Sequence, residues 1–149
     1  MKLQDEINVK LKEAMLSRDQ FLTGVLRDLK SAILYEMVAK NKRDEGLADE
    51  EIQAVIAREV KKRNDAIEIY TNAGNQTAVG KETAEKEILN SFLPEPLTDD
   101  ELREIIKKTI ADGNFEPKDM GQVIGLTKKA AGARADGAKI AMMVKETLK

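Results

Sequence analysis

Two prolines one residue apart, in Leu93-Pro94-Glu95-Pro96-Leu97, interrupt a chain whose apolar residues otherwise recur with a helical period. Proline lacks the amide donor that a helix interior needs and pushes the preceding residue out of the helical region. The pentapeptide therefore reads as a short stiff connector. It sets an expected boundary between one domain at 1–93 and a second at 94–149. The 149 residues are enough for one ordinary domain or two small ones.

The periodicity before the connector predicts four helices. Leu3, Ile7, Leu11 and Met15 recur every four residues and mark the first. Ser17-Arg18-Asp19-Gln20 has the form of a capping box, which starts a second helix there. Leu22, Val25, Leu26, Leu29, Ile33 and Met37 carry that helix to about Lys40. Gly24 lies inside it and predicts a close helix–helix contact, since a mid-helix glycine otherwise costs about 1 kcal/mol relative to alanine. Residues Asn41 to Ala48 read as a loop. Asp49-Glu50-Glu51 opens a third helix, with Ile52, Val55, Ile56, Val60, Ile67 and Tyr70 on its buried face and a break near Arg63. A fourth runs from about Thr77 to Ser91 with a thin apolar face, Val79, Ala84, Ile88, Leu89 and Phe92.

After the connector, Thr98-Asp99-Asp100-Glu101 is a second capping box directly before Leu102, Ile105, Ile106 and Ile110. Pro117 sits at a plausible helix start, followed by Met120, Val123, Ile124 and Thr127 on one face. Gly132 ends that helix. Asp136 or Gly137 begins the last, whose apolar face is Ile140, Met143, Val144 and Leu148. No segment alternates as a strand would. The expected architecture is all-α: an N-terminal domain resembling a four-helix bundle, joined by the proline-containing linker to a small C-terminal three-helix bundle.

Composition restricts the chemistry. The chain has no cysteine and no histidine, which removes thiol nucleophiles, disulfides, thiolate zinc sites and imidazole bases. No spaced oxygen loop for a metal and no phosphate-cradling glycine loop is present, so neither a metal nor a cofactor is expected. Paired carboxylates stand at Asp49–Glu51 and Asp99–Glu101, but both sets open helices, where capping and the helix dipole account for them. No catalytic residue is assigned. The longest apolar run, Ile140 to Val144, is far too short to cross a membrane, and the charged N-terminal segment lacks the core of a signal peptide. A cytoplasmic location is the expectation.

The net charge of −2 conceals an uneven distribution. Residues 94–116 hold three basic and seven acidic side chains, whereas 117–149 hold seven basic and three acidic, net −4 against +4. Within the basic tail, Lys128, Lys129 and Arg134 surround a turn rich in glycine and alanine, and Lys139 and Lys145 extend the patch. Two readings stay open. The cations and the free N–H groups opening the last helix suit a phosphate; equally, lysines favour a helix C-terminus and Asp136 caps the next helix. The Gly121-x-x-x-Gly125 pair reads first as tight helix packing and secondly as a smooth surface for an RNA backbone or a partner. Arg58, Lys61, Lys62 and Arg63 read as a solvated face with helical ion pairs, Glu59 to Arg63 and Lys61 to Asp65.

Leu89-x-x-Phe92-Leu93-Pro94 followed by Leu97-Thr98-x-x-Glu101-Leu102 resembles the inter-domain signature of the GatB/YqeY family. So does Met120-Gly121-x-Val123-x-Gly125, followed by Gly132 and then Arg134-Ala135-Asp136-Gly137. The resemblance extends over essentially the whole chain and is to the stand-alone, YqeY-like members. Ala48 departs from the pattern by standing where a capping residue is usual, so that Asp49 becomes the alternative cap. The resemblance implies that the C-terminal helices are similar to the tail of the B subunit of the tRNA-dependent amidotransferase. That carbon–nitrogen ligase takes glutamine as amido-nitrogen donor, and its tail is implied to help recognise the tRNA body. By resemblance the family-motif positions are Gly121, Gly125, Gly132, Asp136 and Gly137. The expected function is a non-catalytic tRNA-associated module contacting RNA through Lys128, Lys129, Arg134, Lys139 and Lys145. The alternatives are a protein–protein interaction module, or an accessory to amidotransferase-type ligation.

Overall fold

A computed structural model describes residues 2–149; Met1, part of the N-terminal segment read above, lies outside them. Among the described residues the regular structure is entirely helical: α1 (Leu3–Leu16), α2 (Gln20–Ala39), α3 (Asp49–Asn72), α4 (Gln76–Asn90), α5 (Asp99–Gly113), α6 (Met120–Ala131) and α7 (Gly137–Thr147). Two single 3-10 turns, Pro117–Asp119 and Gly132–Arg134, flank α6. The chain divides into two compact units, one ending at Leu93 and the other spanning Pro94–Lys149.

In the first unit, Leu3, Ile7, Val25, Leu29, Ile33, Ile52, Val55, Ile56 and Leu89 form one buried cluster drawn from α1 to α4. The α1 stripe is not the one that spacing predicts. Ala14 is buried whereas Met15 is 50% exposed. A repeat of four gains about 40° per step on a helix of 3.6 residues per turn, so by Met15 the stripe has rotated off the core and Ala14 has rotated on. The start of α2 also differs from the expectation: Asp19, not Ser17, caps it, accepting from the Leu22 N–H at 3.0 Å. Ser17 belongs to the end of α1, its hydroxyl donating to Ala14 O, and Arg18 makes the turn with φ of 60°.

Ala48 itself stands at the N-cap of α3 with no side-chain acceptor, and Asp49 does not take over the cap. Glu51 reaches back to accept from the Ala48 N–H at 3.0 Å, and Asp49 accepts from the Leu3 N–H at 3.1 Å, tying the start of α1 to the start of α3. The break expected near Arg63 is absent, and α3 runs unbroken to Asn72. Arg63 occupies the place of an apolar residue in the stripe and faces acids: its guanidinium is 3.7 Å from Glu59, on its own helix, and 3.1 Å and 3.9 Å from Glu85 and Glu82 of α4. Its buried Nε makes no hydrogen bond, so this is a contact between charges. The expected Lys61–Asp65 pair is not formed among the described residues, whereas Arg58 pairs with Glu36 at 2.8 Å and Lys62 with Glu59 at 2.9 Å.

The second unit packs Leu102, Ile106, Val123, Ala131, Ile140, Met143, Val144 and Leu148 into its own core. The Thr98 box forms as read: Thr98 Oγ1 accepts from the Glu101 N–H, and Glu101 accepts from the Thr98 N–H, both at 3.1 Å. Helix α5 closes on Asn114 in the left-handed region, with φ of 50°. No helix is long and apolar enough to cross a membrane, and no group of three or more acidic side chains is placed to hold a metal, among the described residues.

Candidate nucleic-acid interface

Helix α6 is two-sided. Val123, Thr127 and Ala131 are buried against α5 and α7. At about 100° per residue, Gly121, Gly125, Lys128 and Lys129 fall in one sector turned away from that core. All four are exposed. The tight packing expected for the glycine pair is not found: a Cβ at either position would meet nothing within 4 Å. The glycines instead leave a strip of bare helix backbone that runs into two lysines.

The turn after α6 explains part of the motif. Gly132 has φ 58° and ψ −136°, a backbone state that a Cβ would strain, and it turns the chain toward α7. Asp136 then caps α7, its Oδ1 accepting from the Ala138 N–H at 3.4 Å. Gly137 opens α7 under the side chain of Lys128. A Cβ there would meet Lys128 Cε at 3.2 Å and Nζ at 3.4 Å. A lysine ammonium thus rests beside the N-terminal end of a helix, where the dipole is already positive.

The five candidate cations divide into two groups. Lys128, Lys129 and Lys145 are exposed and have no ion-pair partner among the described residues. Arg134 and Lys139 are engaged. Arg134 Nε donates to Glu95 O at 2.9 Å and Arg134 O accepts from the Leu97 N–H at 2.8 Å, a two-bond clamp on the Pro-x-Pro segment. Lys139 forms an ion pair with Asp99 at the start of α5. Hydrogen bonding to that lysine holds the Asp99 carboxyl below its ordinary value. The Glu101 carboxyl is lowered as well, first by the Thr98 backbone N–H and last by the charge of Arg134. In the first unit the Ala48 backbone N–H, with Lys42 and Lys40, pushes Glu51 down to about 2. Carboxylates with lowered pKa are ionised structural groups; a general acid working near neutrality needs the opposite shift.

Sequence reasoning missed the links that engage Arg134 and Lys139. Each partner lies more than thirty residues away, beyond the range of any local pattern. A comparison with family profiles matches the chain to the family described as Yqey-like protein, over residues 4–148. The chain belongs to that family. The match takes in both units, so the four N-terminal helices are as much part of the family as the glycine-bearing tail. Among curated proteins no match was found.

Proposed function

We propose that this chain is a non-catalytic, tRNA-associated helical module that works in the cytoplasm, with residues 94–149 as its RNA-facing domain and 1–93 as a helical companion domain. One observation carries the reading. Lys128 and Lys129 have no acidic partner among the described residues, and they adjoin a strip of bare backbone at Gly121 and Gly125. A phosphodiester chain needs cations it does not have to win from carboxylates, and a surface without side chains to displace. The Lys128 ammonium beside the first N–H groups of α7 adds a second favourable contact for an anion. The resemblance to the amidotransferase B-subunit tail supports the same direction, by shape and backbone rather than by base stacking, since the chain has only five aromatic residues.

The test is fluorescence anisotropy with bulk tRNA across a salt series, comparing the intact chain with a Lys128→Ala/Lys129→Ala variant. Each lost phosphate contact removes about 0.9 from the log–log salt slope, so the double variant loses about 1.8. Absence of binding at low salt, with the protein folded, rejects the proposal. That outcome would favour a protein partner instead, a reading supported by Leu126 and Met142, which are 46% and 56% exposed in the same unit. An accessory role in glutamine-dependent ligation would require a separate catalytic subunit.

A further inference from the structure

The corner between the end of α1 and the first turns of α2 holds a concavity of about 470 Å³, lined by Met15, Arg18, Gln20, Thr23, Gly24 and Arg27. Two of these residues break the local rule for their position. Gly24 sits inside α2, where alanine would favour the helix. No helix packs against it, contrary to the close contact that its position predicts: a Cβ there would meet nothing within 4 Å. Arg18 has φ of 60°, a left-handed state that glycine or asparagine takes at little cost. The other two non-glycine residues with positive φ, Asn41 and Asn114, follow that preference. An arginine thus stands where a glycine would be easier, and a glycine where an alanine would be. Both departures line one hollow, and departures from local preference are expected where function rather than folding chooses the residue.

We propose that this hollow binds a small organic phosphate monoester, with its phosphate held by Arg18 and Arg27 and its apolar body lying over Gly24 and against Met15. The charge of the lining selects the ligand. Neither guanidinium has an ion-pair partner among the described residues, and the lining holds no carboxylate. Two planar forks with free donors match a dianion, which a phosphate monoester presents near neutrality and a phosphodiester does not. The end of α2 is already taken, because Asp19 accepts from the Leu22 N–H there. The two arginines, not the helix terminus, are therefore what holds the phosphate. Size points the same way, since small-molecule sites run to ~300–1,000 Å³. Bare backbone at Gly24 and the pliable thioether of Met15 accommodate a flat ring, and the Gln20 amide and Thr23 hydroxyl can meet its polar edge. Gly24 keeps the hollow open: any side chain there would occupy it.

Isothermal titration calorimetry of the full chain tests this, with adenosine monophosphate as the probe. The expected result is saturable one-to-one binding below millimolar concentration. Adenosine, which lacks the phosphate, and inorganic phosphate, which lacks the ring, should each bind more weakly by roughly tenfold or more. Arg18→Gln and Arg27→Gln should each cost a similar factor. Gly24→Leu should abolish binding with the helical CD spectrum kept, and Gly24→Ala, which favours the helix, should weaken it while raising stability. Arg43→Gln removes the same charge from the loop between α2 and α3, outside the hollow, and should change nothing. Lys128→Ala/Lys129→Ala should change nothing either, which keeps this site distinct from the RNA-facing one. Absence of saturable heat at millimolar probe overturns the proposal. So does equal affinity for adenosine, an equal loss in Arg43→Gln, or binding that persists in the folded Gly24 variants.

Discussion

Replacing Gly121 and Gly125 together by alanine tests whether the outer face of α6 is open. Were the glycines there for packing, two methyl groups would collide with a neighbour, and overpacking costs about 1–3 kcal/mol. The structure gives the opposite sign, because neither Cβ has an atom within 4 Å. Gly125 sits in the middle of α6, where alanine is favoured over glycine by about 0.8–1.0 kcal/mol. Gly121 is the second residue of the helix, where that preference is smaller. The pair should therefore stabilise the second unit by about 1–2 kcal/mol. For a unit of this size that is a rise of roughly 5–15 °C in melting temperature. The chain supplies a convenient pair of reporters. Both tyrosines, Tyr35 and Tyr70, lie in the first unit and there is no tryptophan. Tyrosine emission therefore follows the first unit, while far-UV circular dichroism follows the helices of both. The tyrosine transition should stay in place and the remaining CD transition should move up. A downward shift would show that the glycines are packed against something and would remove the open strip on which the RNA reading rests. If that reading is right, the stabilised variant binds tRNA more weakly, which separates binding from folding.

Two further outcomes are expected. Thr127 is fully buried and its Oγ1 has no hydrogen-bond partner, so Thr127→Val, which keeps the shape and removes the hydroxyl, should stabilise the second unit by about 1 kcal/mol in a urea titration; a loss of stability would mean that the hydroxyl is satisfied. Glu51 has its pKa lowered on folding from 4.5 to about 2, so its stabilising contribution is complete above about pH 4.5 and is lost as pH falls toward 2; Glu51→Gln should flatten the acid limb of the tyrosine-monitored stability curve over that window, and an unchanged limb would contradict the assignment.

Helix type and number were legible because they rest on a period of 3.6 that survives point irregularities. What went astray did so for geometric reasons. Stepping by four rather than 3.6 misassigned Met15 to the core. A charged residue in an apolar stripe looked like a break at Arg63, although Glu82 and Glu85 three residues apart on the next helix supply the complement. Ser17 does not cap α2 because it closes α1, and Arg18 turns the chain in a left-handed conformation that composition does not announce, which leaves Asp19 at the cap. At Ala48, the missing cap side chain mattered less than expected because Glu51 satisfies the Ala48 N–H from the other half of the box.

The candidate cations were legible as residues, but which of them stand unpaired was not. Counting charge gives the tail +4 and five available cations, but a cation already held by an acceptor adds little to the attraction of a phosphate. The same acidic segment that makes 94–116 net −4 supplies Asp99 to Lys139, and the backbone at Glu95 takes up Arg134. Three cations remain, Lys128, Lys129 and Lys145, and only the first two adjoin the glycine strip. At about 0.9 per phosphate neutralised, five working cations predict a log–log salt slope near 4.5 and three predict one near 2.7. The geometry requires the smaller value. A slope near 4.5 would mean that Arg134 and Lys139 give up Glu95 and Asp99 when RNA binds, and the clamp on the Pro-x-Pro segment would then open as a consequence of binding.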